Sequence, residues 1–116
     1  MFREIDVILA IVEFKTAEPI PPEMRSVIAL RSAPKFRTVP GLERKHYWFA
    51  PDGRTAGGAY LWKSRADADR WWTPEYLDKL AKEYGAVPTI SYLECPVVVD
   101  NVVGKVFTDA AVEATA

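Results

Sequence analysis

Strand-like and helical segments follow one another in the order strand, helix, strand, strand, helix, strand. The first strand, Ile5 to Phe14, is apolar at nearly every position, which is typical of a central strand covered on both faces. The other strands are predicted at Leu42 to Ala50, Ala56 to Trp62 and Thr89 to Val99. This order predicts a ferredoxin-like βαββαβ domain of the α+β class, with both helices on one face of an antiparallel sheet.

The first helical region begins at Pro22, because proline and Glu23 both suit the first turn of a helix. Pro34 predicts a break or a restart of this helix before Phe36. The apolar residues of the region are expected to face inward. They are Met24, Val27, Ile28 and Leu30.

Turn and cap signals fix the second half of the chain. The turn residues from Pro51 to Gly53 separate the second and third strands, so these two strands form a hairpin. Ser64 opens a capping box at the start of the second helical region, and Thr73 is an N-cap that restarts it. Gly85 suits the C-terminal end of this region.

The first and fourth strands carry more apolar surface than two helices on one face can cover. The uncovered sheet face therefore needs another partner, and a second copy of the same sheet is the simplest one. The sequence predicts a homodimer that forms through this face and a dimeric α/β barrel. Residues 1–100 are predicted to form the domain, and residues 101–116 a C-terminal tail that is partly ordered or contacts the interface.

Composition limits the possible partners. The net charge of −1 disfavours a nucleic-acid or anionic-membrane surface, both of which normally require a basic excess. One cysteine and one histidine cannot supply a metal-ligand pattern, so no metal is predicted. The apolar stretch from Val7 to Val12 is too short to cross a bilayer, and the N-terminus lacks signal-peptide features. A cytoplasmic protein is expected.

Several local motifs resemble the YdhR-type monooxygenase family, a group of dimeric α/β-barrel proteins. The most specific is the hairpin strand Gly57-Gly58-Ala59-Tyr60-Leu61-Trp62. Further similarity lies in Ala33 to Phe36, in Val39 to Leu42 and at Lys45 and Tyr47. The resemblance implies a homodimer with a cleft between sheet and helices. It also implies oxygen-dependent chemistry on an aromatic or polyketide-like substrate, with no metal, flavin or other cofactor.

Tyr60 and Trp62 are two residues apart on a strand and so share one face of the sheet. The opposite face carries Gly57, Ala59 and Leu61, which are small enough for a helix to pack closely. We therefore expect Tyr60 and Trp62 on the side away from the helices, where they line a substrate pocket or the dimer interface.

The hairpin register decides which residues of the second strand accompany Tyr60, because a slip of one residue exchanges the two faces. One register places Lys45, Tyr47 and Phe49 beside Tyr60. The other places Arg44, His46 and Trp48 there. The sequence leaves both open, although the family resemblance at Lys45 and Tyr47 favours the first. Five residues are predicted to bind substrate: Tyr60, Trp62, Tyr47, Lys45 and Trp48.

His46 is the candidate catalytic residue, because its unperturbed pKa lies nearest neutrality. In a cofactor-independent oxygenase, a base deprotonates a phenol and the resulting electron-rich anion reacts with oxygen. The predicted function is such a monooxygenase, acting on a small aromatic or quinol-like molecule. The alternative is a dimeric domain that binds a small molecule or responds to stress without catalysis.

Overall fold

The computed structural model describes residues 2–4 and 7–108. The predicted start of the first strand at Ile5 and the last tail residues, 109–116, lie outside the described residues. Within the described ranges the elements are β1 (Phe2–Glu4), β2 (Val7–Lys15), α1 (Pro22–Phe36), β3 (Leu42–Phe49), β4 (Thr55–Trp62), α2 (Arg65–Trp71), α3 (Pro74–Tyr84), β5 (Thr89–Cys95), β6 (Val97–Asp100) and β7 (Lys105–Thr108).

The larger sheet has the strand order β3-β4-β2-β5, and every neighbouring pair is antiparallel. The predicted ferredoxin-like α+β fold is thereby confirmed. The buried core lies on one sheet face, where Ala10, Val12 and Trp62 meet Ala68 of α2 and Leu80 of α3. Since burial of these side chains is the main source of stability, the core holds the helices on this face.

Local signals placed the second helical region correctly. The Ser64 hydroxyl accepts a hydrogen bond from the Asp67 N–H at 3.2 Å, and the Thr73 hydroxyl accepts one from the Tyr76 N–H at 3.2 Å. Gly85 follows α3 with φ of +77°, a left-handed conformation in which glycine avoids a Cβ clash. Each cap satisfies a backbone group that the helix end leaves unpaired, so α2 and α3 are separate helices.

The orientation of α1 differs from the prediction. Met24, Val27 and Leu30 are 36%, 46% and 67% exposed, and no residue of α1 is fully buried. Of the four residues predicted to face inward, only Ile28 does so, and together with Phe36 it lines a cavity on the side of α1 turned toward the sheet. Because α1 spans this cavity and does not lie flat on the sheet, its most apolar stripe faces solvent.

The predicted break at Pro34 is also wrong, since α1 continues through this residue to Phe36. A proline costs most in a helix interior, where it removes a hydrogen bond and crowds the preceding turn. Pro34 lies in the last turn of α1, and Leu30, whose carbonyl loses its partner, is on the exposed side. The Arg37 N–H then donates to the Pro34 carbonyl at 3.2 Å and closes the helix.

The predicted fourth strand is two strands, because Pro96 interrupts it. Proline has no N–H to donate to a strand ladder, and β5 accordingly ends at Cys95. The chain then enters a small second sheet of order β1-β7-β6, in which β6 pairs with β7 across the turn at 101–104. This turn and β7 lie within the segment that the sequence assigns to the tail.

Candidate functional site

A cavity of about 740 Å³ lies between the larger sheet and the helices α1 and α3. Its floor comes from the helix-facing residues of β2, β3 and β4, and its roof from α1. This volume is in the range of small-molecule sites, which cover most of a ligand's surface. At the C-terminal end of α1, Phe36 closes the cavity against Tyr47 and Tyr60 of the sheet.

Aromatic rings form the inner wall of this cavity, with Tyr60 at their centre. The Tyr60 ring meets Phe36 edge-on with 5.8 Å between centroids and Trp72 edge-on at 5.0 Å. It stacks on Trp62 at 6.2 Å with an angle of 7° between the ring planes. Such ring pairs contribute about 0.5–1.5 kcal/mol each beyond their burial, so Tyr60 is held firmly in place.

Tyr60 and Trp62 lie on the helix side of the sheet, and the prediction that they point away from the helices is wrong. Both belong to the core that includes Trp72 and Leu80. The small residues opposite them serve a different purpose from helix packing. Gly57 lies against the Val12 carbonyl of the neighbouring strand, where a methyl group would overlap that oxygen.

The structure has the register that pairs Lys45 with Tyr60 and Tyr47 with Gly58. Lys45, Tyr47 and Tyr60 therefore share the cavity face and all line the cavity. Their roles in substrate binding remain predictions. This register is constant from the Phe49–Ala56 pair beside the turn to the Arg44–Leu61 pair, so the turn sets it, and the bulge between Leu42 and Arg44 shifts only the pairing of Leu42.

Three other predicted site residues lie outside the cavity. His46 and Trp48 alternate with Lys45 and Tyr47, so they are on the opposite sheet face, and His46 is exposed. Trp62 is on the cavity side but fully buried behind the Tyr60 ring and does not line the cavity. The expectation that these three residues line the pocket is therefore corrected. The sheet itself separates His46 from any ligand bound in the cavity.

Lys45 is the most unusual group in the cavity. Its Nζ lies 3.5 Å from the ring centroid of Phe36, 3.9 Å from that of Tyr47 and 4.6 Å from that of Tyr60. Among the described side chains, no carboxylate is within ion-pair distance of this amine. Burial, and next the charge of Lys35, lowers the pKa of Lys45 to about 7.

A lysine in this state can accept a proton at neutral pH, which an ordinary lysine cannot do. Lys45 was predicted from the sequence as a binding residue, and its capacity as a base was missed. The reason is that its surroundings are assembled from distant segments, since Phe36 ends α1 and Tyr60 lies on β4. Lys45 replaces His46 as the candidate base in the cavity.

The hydroxyl groups of Ser32 and Tyr47 are joined by a hydrogen bond at the cavity, whereas that of Tyr60 is not part of this pair. The Ser32 hydroxyl donates to the Ala29 carbonyl at 3.4 Å, and its oxygen lies 2.7 Å from the Tyr47 hydroxyl, which therefore donates to it. Burial raises the pKa of Tyr60 well above its usual range, so this residue stays a neutral phenol. Within the described part of the chain, the Tyr60 hydroxyl has no hydrogen-bond partner.

Gly58 creates the space for these groups. A Cβ at this position would lie 2.7 Å from Cε1 of Tyr60 and 3.0 Å from Cε of Lys45. Both neighbours are side chains that can shift, whereas Gly57 is opposed by backbone. The two adjacent glycines therefore have different functions: Gly57 lets two strands pair, and Gly58 gives the cavity its shape.

We predict that Gly57→Ala lowers the free energy of unfolding by about 2–3 kcal/mol, because a paired backbone cannot move aside. Gly58→Ala is expected to cost about 1 kcal/mol, because it displaces only side chains, but to weaken ligand binding in the cavity. Urea unfolding followed by tryptophan fluorescence would measure the stability of both variants. Equal stability of the two variants would contradict this division of roles.

The cavity is lined by more cationic than anionic side chains. The cations are Lys15, Arg31, Lys35 and Lys45, and the carboxylates are Glu18 and Glu83. Across residues 7–108, no group of three or more histidine, cysteine or acidic side chains is placed to hold a metal ion. No helix in the described ranges has the length and apolar character needed to span a membrane.

Taken together, these features define a ferredoxin-like α+β domain with an aromatic, lysine-containing cavity between sheet and helices.

Two solved structures share this fold. A monooxygenase from the gene ActVA-Orf6 of Streptomyces coelicolor, in complex with nanaomycin D, is similar over 78% of this chain and 88% of its own, with a TM-score of 0.58 and 16% identity. A mutant of SnoaB, a cofactor-independent oxygenase from Streptomyces nogalater, is similar over 78% and 91%, with a TM-score of 0.51 and 23% identity. No family model matches the sequence. A search of curated proteins finds no match either.

Proposed function

We propose that this chain is a cofactor-independent monooxygenase that oxidises a fused aromatic phenol to a quinone with molecular oxygen. The observation that carries the proposal is Lys45, an amine with a pKa of about 7 in an aromatic cavity without a carboxylate partner among the described residues. The two solved structures named above support it, because both are described as oxygenases and share the fold. Membership of the YdhR-type family is part of the proposal.

The reaction begins with proton transfer from the phenol to the neutral amine of Lys45. The ammonium that forms stays beside the phenolate and stabilises its charge, and the surrounding rings of Phe36 and Tyr47 favour this cation. The electron-rich carbon para to the phenolate oxygen transfers an electron to O2 and then bonds to it. Tyr60, which remains protonated, can donate a hydrogen bond to the developing peroxide.

The peroxide then loses water and leaves a quinone. One atom of O2 becomes the new carbonyl oxygen, and the other leaves as water with the hydrogen from the para carbon and the phenol proton. The substrate loses four electrons, which O2 accepts, so no further reductant is required. In this scheme the protein supplies a base, a cation, a proton donor and an aromatic surface that positions the substrate.

Oxygen uptake with hydroxynaphthalenes such as 1-naphthol tests the function. One O2 is expected per quinone formed, and ¹⁸O₂ should place one labelled atom in the quinone. Tight binding of these compounds without oxygen uptake would overturn the enzyme proposal and favour the non-catalytic binding domain. The same assay in the presence of a metal chelator, with uptake unchanged, would support the cofactor-independent form of the proposal.

We further propose that the protein is a cytoplasmic homodimer that forms through the sheet face opposite the helices. On this face the register aligns Leu61, Leu9 and Leu93 in one row across three strands, and Leu93 is 49% exposed. An apolar row of this kind on a face without helices is typical of a surface that packs against another sheet. If two copies of the chain pack through this same face, the interface between them is symmetric.

We predict that Leu93→Lys converts the dimer to a monomer in sedimentation velocity experiments, because it buries a charge in the apolar row. Leu30→Lys is the matched control. Leu30 is 67% exposed on the outer side of α1, so the same change there should leave the dimer intact. Dissociation by Leu30→Lys, with Leu93→Lys still dimeric, would place the interface on α1 and contradict the proposal.

A further inference from the structure

Two lysines approach the same aromatic ring at the cavity. The Nζ of Lys45 lies 3.5 Å from the Phe36 ring centroid, and that of Lys35 lies 5.2 Å from it. Lys45 is largely buried, whereas Lys35 is exposed at the end of α1. Since both amines contact one ring, the distance between them is within the span of a bicyclic aromatic molecule.

Lys35 is held in position without being neutralised. Its amine donates a hydrogen bond to the Tyr76 hydroxyl at 3.2 Å and lies 5.6 Å from the Tyr76 ring centroid. In the described part of the chain, Lys35 forms no ion pair. The carboxylates that line the cavity, Glu18 and Glu83, are paired with neither lysine.

When Lys45 is protonated, two unpaired cations face one cavity and repel each other, and the charge of Lys35 is accordingly the second cause, after burial, of the lowered pKa of Lys45. A ligand that carries negative charge would relieve this repulsion, whereas a neutral ligand would leave it in place. Tyr60, whose ring also contacts the Lys45 amine, cannot balance the charge, because burial raises the pKa of its hydroxyl well above its usual range.

We propose that the cavity accepts aromatic phenols that also carry a carboxylate, with the phenol oxygen at Lys45 and the carboxylate at Lys35. This inference rests on the proposed function for the role of the phenol, and it adds the carboxylate as the group that selects the substrate. Compounds with the same ring system but no acid would bind more weakly. Lys35 is a binding residue in this scheme, and Lys45 carries the chemistry.

The test is equilibrium binding under nitrogen of a hydroxynaphthoic acid and its carboxamide, which differ in charge but hardly in shape. The wild-type protein is expected to bind the acid at least about tenfold more tightly, as a charged hydrogen bond at a partly exposed site would produce. Lys35→Met should abolish this preference. Lys79→Met, which changes an exposed lysine of α3 outside the cavity, should keep it.

Equal affinity of the wild-type protein for acid and amide would overturn the inference, as would a preference that survives Lys35→Met. Neither result affects the oxygenase proposal, which oxygen uptake with neutral 1-naphthol tests separately. Conversely, a preference for the acid without any oxygen uptake would support the carboxylate site while the proposed function fails. The two failures are therefore distinguishable.

Discussion

Replacement of Lys45 by methionine is expected to lower kcat/KM for hydroxynaphthalene oxidation by at least about 100-fold, because general-base catalysis typically contributes that much or more. Methionine keeps much of the length and apolar surface of the lysine stem, so the cavity should stay filled on that side. Lys45→Arg should be equally inactive, since arginine is always charged and cannot accept a proton. Initial rates of oxygen uptake would provide the measurement.

The pH profile gives this prediction a second readout. The base must be neutral to act, so wild-type kcat/KM should rise as pH increases through about 7, the pKa of Lys45, and then level off. Lys45→Met should lose this limb of the profile. His46→Gln is the matched control at the neighbouring position. Because His46 is on the opposite sheet face, that variant should keep both the rate and the profile.

A pH profile that stays intact in Lys45→Met but disappears in His46→Gln would contradict the assignment of Lys45 as the base and favour His46.

A measurement of stability against pH would show whether Lys45→Met is folded. Lys45 has a lower pKa in the folded state, about 7, than its ordinary value of 10.5. The folded state therefore binds fewer protons between these two pH values, and the wild-type protein loses stability as pH falls from 10.5 toward 7.

Below pH 7 the full cost of charging a partly buried amine is present. Lys45→Met removes this cost and should raise the free energy of unfolding at pH 6 by about 1 kcal/mol, a figure that allows for solvent screening. The variant should therefore be less active and more stable than the wild-type protein. This combination is typical of a residue kept for function, and a merely structural lysine would not produce it.

Local signals in the sequence were sufficient to predict the ferredoxin-like order of the elements that form the larger sheet and its helices. The order of strands and helices, the Ser64 and Thr73 caps and the turn at Gly53 depend on neighbouring residues, and the structure agrees with each. Side-chain direction was harder to predict where it depends on distant packing. The small residues of β4 suggested a helix above Gly57, but the close neighbour is the backbone of β2.

The candidate site shows the same limit. Lys45 and Tyr47 could be named from the sequence, but the register that brings them to Tyr60 is set by the geometry of the turn between β3 and β4, which the sequence left open. The importance of Lys45 depends further on Phe36, which reaches it only because α1 continues through Pro34. A sequence pattern identifies residues that are able to do chemistry, whereas the burial that changes a pKa is a property of the assembled fold.

Trp62→Ala is expected to have the largest effect on stability, with a loss of about 3–5 kcal/mol in the free energy of unfolding. Trp62 is fully buried and stacks on Tyr60, so its removal leaves a cavity behind the wall of the candidate site. A domain of this size is stable by about 5–15 kcal/mol, so much of the total would be lost. Chemical denaturation with circular dichroism detection would measure it.

Trp62→Phe separates the ring from its polar group. Among the described residues, the buried indole N–H of Trp62 has no hydrogen-bond partner, and phenylalanine removes this unpaired donor while it keeps an aromatic ring against Tyr60. Removal of an unpaired donor recovers part of its desolvation cost, so Trp62→Phe should cost less than about 2 kcal/mol despite its smaller volume. If both variants lose stability equally, the indole itself matters, through a partner such as a bound water. If neither does, Trp62 is not the support of Tyr60, and the cavity wall must be held by Phe36 and Trp72 alone.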